Sequence, residues 1–250
     1  MKAFNEKRVV SLRYIIIGDI HGCYDELIAL LLKVNFDDKK DVIIFLGDYT
    51  DRGKQSYEVY RFLKALRQDM GDRCIMLYGN HEELIDNFHD HKDLNWLLNG
   101  GRETLKSFKE HNVSLNRYTK FIANNTHIYF ACKKFQACHA GVENKPMEDQ
   151  YEEVLLWDRS AVEKGFYNGL LTIVGHTPVT KPTWIGKIDG KVEHIKLKEK
   201  TWYNLPATGI INIDTGCGKG GSLSALVIQG TRFCTYTQDK LPDIEECLKR

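Results

Sequence analysis

Five short motifs place carboxylate, amide or imidazole side chains beside glycines. In chain order they are Gly18-Asp19-Ile20-His21-Gly22, Gly47-Asp48-Tyr49-Thr50-Asp51-Arg52-Gly53, Gly79-Asn80-His81-Glu82, His139-Ala140-Gly141 and Gly175-His176-Thr177. Such side chains bind divalent metals, and a carboxylate shared by two ligand sets can hold two ions about 3.5–4 Å apart. The candidate ligands are Asp19, His21, Asp48, Asn80, His139 and His176. Because two ions on one water supply hydroxide at neutral pH, the motifs predict a hydrolase of phosphate esters.

Each candidate ligand also has an ordinary structural explanation. A single Asp after a strand is usually a turn former or a helix cap, and a single His is usually a polar residue with satisfied hydrogen bonds. We apply that explanation to the histidines outside the motifs, which are His89, His91, His111, His127 and His194. For the motifs, the ordered set favours a metal site. Its donors suit Mn, Fe or Zn better than Ca, and the sequence does not select among these three.

Alternating strands and helices should position the first three motifs. Apolar runs at 13–17, 41–46 and 73–78 each end at a motif glycine, which is typical of buried strands. Between them, apolar residues recur with helical spacing at 25–33 and 56–66. The order β-α-β-α-β predicts parallel strands with right-handed crossovers. The motifs should therefore meet at the carboxyl ends of the strands, where α/β sheets collect functional groups.

The later part of the chain changes from helices to strands. Residues 82–125 are predicted to be mostly helical, with a helix end at 96–101. The runs at 126–131 and 133–138 are predicted to pair as a hairpin, and Asp189-Gly190 marks another hairpin turn. Further strands are predicted at 171–174, 184–188, 192–197, 210–213, 223–228 and 231–236. A single α/β domain over 1–250, with two packed sheets between helical layers, is the simplest arrangement.

A glycine-rich segment at 214–221 contains the pattern G-x-G-x-x-G. In dinucleotide-binding proteins that pattern opens a helix. The residues that follow, 223–228, are instead typical of a strand. The segment is therefore predicted to be a tight turn near the site and not a nucleotide-binding loop.

Composition argues against several classes of protein. The 35 basic and 34 acidic residues leave a net charge of +1, which does not favour binding along nucleic acid. No apolar run approaches the ~18 residues that span a bilayer, and residues 1–8 open the chain without an apolar signal region. The cysteines lack a C-x-x-C pair and predict free buried thiols in a cytoplasmic protein. They are Cys23, Cys74, Cys132, Cys138, Cys217, Cys234 and Cys247.

With these motifs in this order, the chain resembles the phosphoprotein phosphatases within the wider calcineurin-like metallophosphoesterases. The resemblance runs from Gly18 to about Gly221 and is strongest to compact bacterial and phage members of the lambda type, which share the Trp-Leu-Leu-Asn-Gly-Gly stretch at 96–101. It implies an α/β fold with two packed central mixed β-sheets flanked by helices. It also implies two divalent metal ions, with Mn as the expected metal and Fe or Zn as alternatives.

The resemblance further implies a role for each site residue. One metal is held by Asp19, His21 and Asp48, and the other by Asp48, Asn80, His139 and His176. His81 protonates the leaving group, Asp51 orients His81, and Arg52 binds the phosphate. A second phosphate-binding arginine follows a tryptophan in the family, and Trp157-Asp158-Arg159 matches that pattern. The alternative for Arg159 is an ordinary surface arginine.

Two features depart from the protein-phosphatase pattern. Thr50 stands where the family usually has Val, and the stretch 22–31 strongly resembles symmetrical diadenosine tetraphosphate hydrolases. Those hydrolases usually have Ala, Asp and Trp at the positions of Asp51, Glu82 and Thr177, so this chain follows the phosphatases there. We therefore expect dephosphorylation of phosphoserine or phosphothreonine proteins, with phosphotyrosine also in range. A dinucleoside polyphosphate hydrolase is the alternative, and an inactive binding module is disfavoured by the intact motifs.

A lysine-rich segment follows the last predicted metal ligand. From 181 to 200 it carries six lysines against Asp189, Glu193 and Glu199. One interpretation is a solvated hairpin that keeps a sheet edge soluble. The other is a basic arm that leans over the cleft and attracts acidic residues flanking a phosphorylated site.

Overall fold

Two β-sheets lie face to face at the centre of the protein, in a computed structural model that describes residues 12–164 and 169–242. The strands are β1 (Arg13–Ile17), β2 (Val42–Phe45), β3 (Cys74–Leu77), β4 (Thr126–His127), β5 (Tyr129–Ala131), β6 (Gln136–Cys138), β7 (Thr172–Val174), β8 (Thr183–Ile188), β9 (Lys191–Lys196), β10 (Tyr203–Asn204), β11 (Ile210–Asn212), β12 (Ser222–Gln229) and β13 (Arg232–Asp239). The helices are α1 (Tyr24–Lys33), α2 (Ser56–Met70), α3 (Asn80–His91), α4 (Arg102–Glu110), α5 (Asn116–Asn125), α6 (Glu152–Trp157) and α7 (Ser160–Glu163). This α/β arrangement of two mixed sheets with helices confirms the predicted fold class.

Both sheets combine parallel and antiparallel strands. The first has the order β10-β13-β12-β1-β2-β3-β4, and its strands β1 to β4 run parallel. The second has the order β5-β6-β7-β11-β8-β9, and its strands β6, β7 and β11 run parallel. The carboxyl ends of these parallel strands bring the motif loops to one edge of the fold.

Strand β1 shows why the central strands have continuous apolar sequences. Ile15 and Ile17 pack in a cluster with the helices α1 and α2, whereas Ile16 packs between the sheets. All three side chains are fully buried. A strand covered on both faces needs apolar residues at every position and not at alternate ones.

The structure confirms most predicted elements and corrects one. The predicted run 126–131 is not one strand, because Thr126–His127 pairs with β3 in the first sheet while Tyr129–Ala131 pairs with β6 in the second. The chain therefore crosses between the sheets near Ile128, and only its second part forms the predicted hairpin. Residues that favour strands, Thr126 before the crossing and Tyr129 after it, occur on both sides, so residue type does not mark it.

The lysine-rich hairpin points away from the edge that carries the motifs. Thr183 at the start of β8 pairs with Asn212, and Ile185 pairs with Ile210. The strand thus runs back along the sheet, and at about 3.3 Å per residue its Asp189-Gly190 tip lies about 20 Å beyond Thr183. This register does not place the tip over the cleft.

Two sequence predictions concern the environment of the protein. Within 12–164 and 169–242, no helix has the length and apolar character to cross a membrane. The cysteines in these ranges are free thiols, while Cys247 and the polar residues 1–8 lie outside the described residues.

Candidate metal centre

The six predicted ligands converge at one edge of the two sheets, and all of them are buried. Asp19 follows β1, Asp48 follows β2, and Asn80 opens α3 directly after the β3 loop. His139 and His176 follow β6 and β7 of the second sheet. Since each ligand lies at most four residues beyond a strand end, the sheets fix the positions of all six.

Asp48 lies between two groups of histidines. Its Oδ2 is 3.4 Å from His21 Nε2 and 4.0 Å from His81 Nε2, whereas its Oδ1 is 3.3 Å from His139 Nε2. Two clusters of potential ligand atoms share this carboxylate, one with His21 and His81 and one with His139 and His176. The geometry therefore places Asp48 between the two clusters, and it brings His81 rather than Asp19 into the first cluster.

Backbone carbonyls set the orientation of two ligand histidines. His21 Nδ1 donates to the carbonyl of Thr50 at 2.9 Å, and His139 Nδ1 donates to the carbonyl of Leu46 at 2.8 Å. A carbonyl only accepts, so Nδ1 carries the proton in both rings and Nε2 is directed at the site. A second hydrogen bond of this kind is the usual support of a metal-binding imidazole.

Asn80 completes the second cluster. Its Oδ1 lies 2.9 Å from both His139 Nε2 and His176 Nδ1. An amide oxygen between two imidazoles offers a neutral oxygen donor beside two nitrogen donors. This donor set fits a divalent transition metal.

Asp19 provides a separate test of the fit to a metal. Its Oδ2 accepts from the backbone N–H of His176 at 3.0 Å, but its buried Oδ1 has no hydrogen-bond partner. Gly175 permits this approach, because a Cβ at that position would overlap the Asp19 carboxylate. Burial, together with the neighbouring carboxylates of Asp214 and Asp48, raises the pKa of Asp19 well above its usual value. A divalent cation would relieve this crowding of carboxylates, so the residues present fit a metal.

Burial keeps the ligand imidazoles neutral. It lowers the pKa of His21 and of His139, and burial with the neighbouring His139 lowers the pKa of His176 to about 3. A neutral imidazole is the protonation state in which histidine binds a metal.

Five residues of the motifs have left-handed backbone conformations. Their φ angles are 47° at His21, 51° at Asp48, 72° at Asp51, 66° at Arg52 and 61° at His176. Such φ angles are uncommon outside glycine and typically concentrate at functional sites. They turn the loops so that consecutive side chains reach the same edge.

His81 and Asp51 form a buried pair beside the first cluster. His81 Nδ1 lies 2.6 Å from Asp51 Oδ2, and Arg52 Nη2 lies 2.8 Å from His81 Nε2. The other amino group of Arg52 contacts His21 Nε2. Burial disfavours the charged ring, but the Asp48 and Asp51 carboxylates outweigh it and raise the pKa of His81. The structure thus brings together the predicted acid, its partner and the first arginine.

Arg159 reaches the other side of the site. Its Nη1 donates to the carbonyl of His176 at 3.0 Å and to Thr177 Oγ1 at 3.3 Å. The guanidinium is therefore placed beside a predicted ligand, although its hydrogen bonds go to the loop and not into the cleft. This position fits the predicted role better than that of an ordinary surface arginine, and the role itself remains a prediction.

The structure also adds supporting residues that the sequence did not assign. Glu82 accepts hydrogen bonds from the backbone of Asp48, Tyr49 and Gly79 and from the hydroxyl of Tyr118. It thereby ties the second motif loop to the third, and burial raises its pKa to about 7. Its motif position was recognisable, but its partner Tyr118 lies 36 residues away in sequence and carries no local signal.

The glycine-rich turn adds a carboxylate close to the first cluster. Asp214 follows β11 and accepts from the backbone N–H of Gly216 at 2.9 Å. Burial raises the pKa of Asp214 to about 6. The turn leads directly into the strand Ser222–Gln229, which confirms that the G-x-G-x-x-G pattern does not open a helix.

The sequence model of calcineurin-like phosphoesterases matches residues 12–201. The chain belongs to this family. Its enzymes use a two-metal site, and the two clusters that share Asp48 are the groups that could hold the ions.

Relatives within the family have different named activities. Over 67 residues, 27% of this chain, it is 49% identical to the symmetrical bis(5'-nucleosyl)-tetraphosphatase of Klebsiella pneumoniae subsp. pneumoniae. That match spans only 22% of the relative's length.

Solved structures share the fold across almost the whole chain. One protein assigned as a diadenosine tetraphosphatase is 20% identical, with a TM-score of 0.64 over 94% of this chain and 96% of that chain. A protein serine/threonine phosphatase from Saccharomyces cerevisiae is 14% identical, with a TM-score of 0.58 over 94% and 82% of the two chains. At such identities these structures show the fold alone.

Proposed function

We propose that the chain hydrolyses phosphomonoesters of alcohols, with the phosphoserine and phosphothreonine side chains of proteins as its substrates. The observation that carries this proposal is the buried pair of His81 and Asp51, 2.6 Å apart beside the shared carboxylate Asp48. Such a pair provides a proton donor for a leaving group at a phosphoryl-transfer site. We propose Mn as the metal, with Fe or Zn as alternatives that suit the same donors.

Each residue group has a distinct task in this reaction. Two bound metals would activate the attacking water and stabilise charge on the phosphoryl oxygens. Asp48, through its two oxygens, holds both ligand clusters in register, while Arg52 and Arg159 bind phosphoryl oxygens from opposite sides. His81, oriented by Asp51, donates the proton at Nε2 to the departing oxygen.

A proton donor accelerates hydrolysis most when the leaving group is poor. The alkoxide of serine or threonine is a strong base and leaves readily only when it is protonated. A nucleoside polyphosphate leaves as a weak base and needs little protonation. A retained Asp–His pair therefore supports hydrolysis of alkyl phosphate esters more than cleavage of a phosphoanhydride.

A dinucleoside polyphosphate hydrolase is the second candidate. The similarity to a named tetraphosphatase, 49% identical over 67 residues, favours it more directly than the 14% identical protein serine/threonine phosphatase structure favours the first candidate. Against it, a cavity of about 420 Å³ beside the site is lined by Glu83, Glu152, Glu153 and Trp157. A chain of phosphates extending to that side would meet three carboxylates, which disfavours its binding.

A substrate panel separates the two candidates. Turnover with added Mn²⁺ is measured for p-nitrophenyl phosphate, for phosphoserine, phosphothreonine and phosphotyrosine peptides, and for diadenosine tetraphosphate. The proposal expects kcat/KM for phosphoserine or phosphothreonine peptides to exceed that for diadenosine tetraphosphate. The reverse order would replace it with the second candidate.

A further inference from the structure

An irregular segment of the chain contacts the acid side of the site. Residues 93–104, called the support segment below, include the π-helical turn Leu97–Gly101 and the start of α4. Their sequence predicts only a helix end. Trp96 and Thr104 in this segment are fully buried, although each has a polar atom that needs a partner.

Both polar atoms are directed at the carboxylate of Asp51. Trp96 Nε1 lies 2.9 Å from each of its oxygens, and Thr104 Oγ1 donates to Oδ1 at 2.7 Å. Together with His81 Nδ1, these donors surround a side chain that has no exposed surface. A buried carboxylate is costly unless hydrogen bonds stabilise it. The donors also fix the orientation of the carboxylate, because Thr104 bonds to Oδ1, His81 bonds to Oδ2 and Trp96 contacts both.

The support segment holds the backbone of the same loop. The N–H of Asp51 donates to Thr104 Oγ1 at 2.8 Å, and the N–H of Arg52 donates to the carbonyl of Gly100 at 3.1 Å. Both residues have left-handed φ angles, which the surroundings must stabilise. Gly100 has a φ of 104°, and a Cβ there would lie 2.6 Å from the Arg52 nitrogen. Glycine is therefore required for this close approach.

We propose that Trp96 and Thr104 are positioning residues for leaving-group protonation. They fix the carboxylate of Asp51, and Asp51 in turn fixes the ring of His81 toward the departing oxygen. This inference rests on the proposed function, because it concerns the proton donor of that reaction. Both side chains bond to Asp51, which is not a predicted metal ligand and lies three residues after the ligand Asp48. We therefore expect loss of these donors to leave metal binding intact.

Paired substrates test this role. Trp96→Phe and Thr104→Val each remove one donor, and Thr104→Ser keeps the hydroxyl as the conservative rescue. Trp184→Phe is the matched control, because it loses an indole N–H that donates to the carbonyl of Thr208, far from Asp51 in sequence.

The ratio of kcat for a phosphoserine peptide to kcat for p-nitrophenyl phosphate is measured with saturating Mn²⁺. We expect this ratio to fall about 10-fold in Trp96→Phe and Thr104→Val, since a general acid contributes about 10²–10⁴-fold. Thr104→Ser and Trp184→Phe should keep the wild-type ratio.

A second readout needs no turnover. In Zn²⁺-loaded protein labelled with ¹⁵N-histidine, the signal of His81 is assigned by its loss in His81→Asn. The wild type should show His81 protonated at Nδ1, the nitrogen that faces Asp51. Trp96→Phe and Thr104→Val should shift or broaden this signal with two zinc ions still bound. A wild type inactive on both substrates would end the proposed function, while the NMR comparison would still decide the positioning role.

Three results would overturn the inference. They are equal losses on both substrates in a folded variant, an unchanged His81 signal, and a reduced metal content. If Trp96→Phe does not fold, the comparison of Thr104→Val with Thr104→Ser decides in the same way.

Discussion

The metal side and the acid side of the site are built differently. On the metal side, each ligand follows a strand by a few residues, and the sheets alone bring them together. On the acid side, Asp51 and Arg52 lie on a loop whose backbone and carboxylate are held by residues 45 to 53 positions away in sequence. Metal ligands can thus be arranged by local sequence and topology, whereas the proton donor depends on a long-range support.

The largest effect should come from the residue shared by both clusters. We expect Asp48→Asn to lower metal affinity by more than about 100-fold, because one carboxylate oxygen faces each cluster. Mutating a residue that only hydrogen-bonds to a metal ligand typically costs about 10–100-fold. Metal content after dialysis, measured by elemental analysis, checks this. Asp189→Asn is the control, since Asp189 has the same kind of backbone, with a φ of 49°, but lies at the hairpin tip. Two fully bound metals in Asp48→Asn would contradict the bridging role.

The acid side should show a smaller and substrate-dependent effect. His81→Asn should lower kcat for phosphoserine peptides by about 10²–10⁴-fold, the usual contribution of a general acid. The loss for p-nitrophenyl phosphate should be much smaller, because its leaving group needs little protonation. Steady-state kinetics on both substrates, with exposed His194→Asn as the control, measure the difference. Equal losses on the two substrates would remove the acid role from His81.

This difference in construction explains what the sequence could predict. The glycine-flanked motifs after β1, β2 and β3 identified Asp19, Asp48 and Asn80 because a strand end and a ligand are adjacent in sequence. Trp96 and Thr104 carried no such signal, since their contact with Asp51 exists only after the chain has folded. The same limit hid the crossing near Ile128, where one predicted strand contributes to two sheets.

The two arginines should differ in the strength of phosphate binding. Arg52 contacts both His21 and His81 at the centre of the site, so Arg52→Ala should weaken inhibition by inorganic phosphate about 10- to 100-fold, as expected for lost charged hydrogen bonds. Arg159 bonds to the carbonyl of His176, so Arg159→Ala should weaken phosphate inhibition less, by about 3- to 10-fold. Inhibition constants for phosphate measure both, and Arg→Lys at each position tests the planar geometry. Unchanged inhibition in Arg159→Ala would show that the second arginine is assigned wrongly.

The smallest effect should come from the hairpin β8–β9, which lies outside both sides of the site. Deleting Lys187, Ile188, Lys191 and Val192 joins the paired residues Gly186 and Glu193 through the existing Asp189-Gly190 turn and keeps the alternation of the strands. Because the tip points away from the ligand edge, we expect unchanged kinetics for acidic phosphopeptides and for p-nitrophenyl phosphate from low to high ionic strength. A basic arm over the cleft would behave differently, since steering by charge acts on anionic peptides and weakens with salt. A drop in kcat/KM confined to acidic peptides at low salt would therefore restore that interpretation and extend the substrate-binding surface beyond the motif loops to the β8–β9 hairpin.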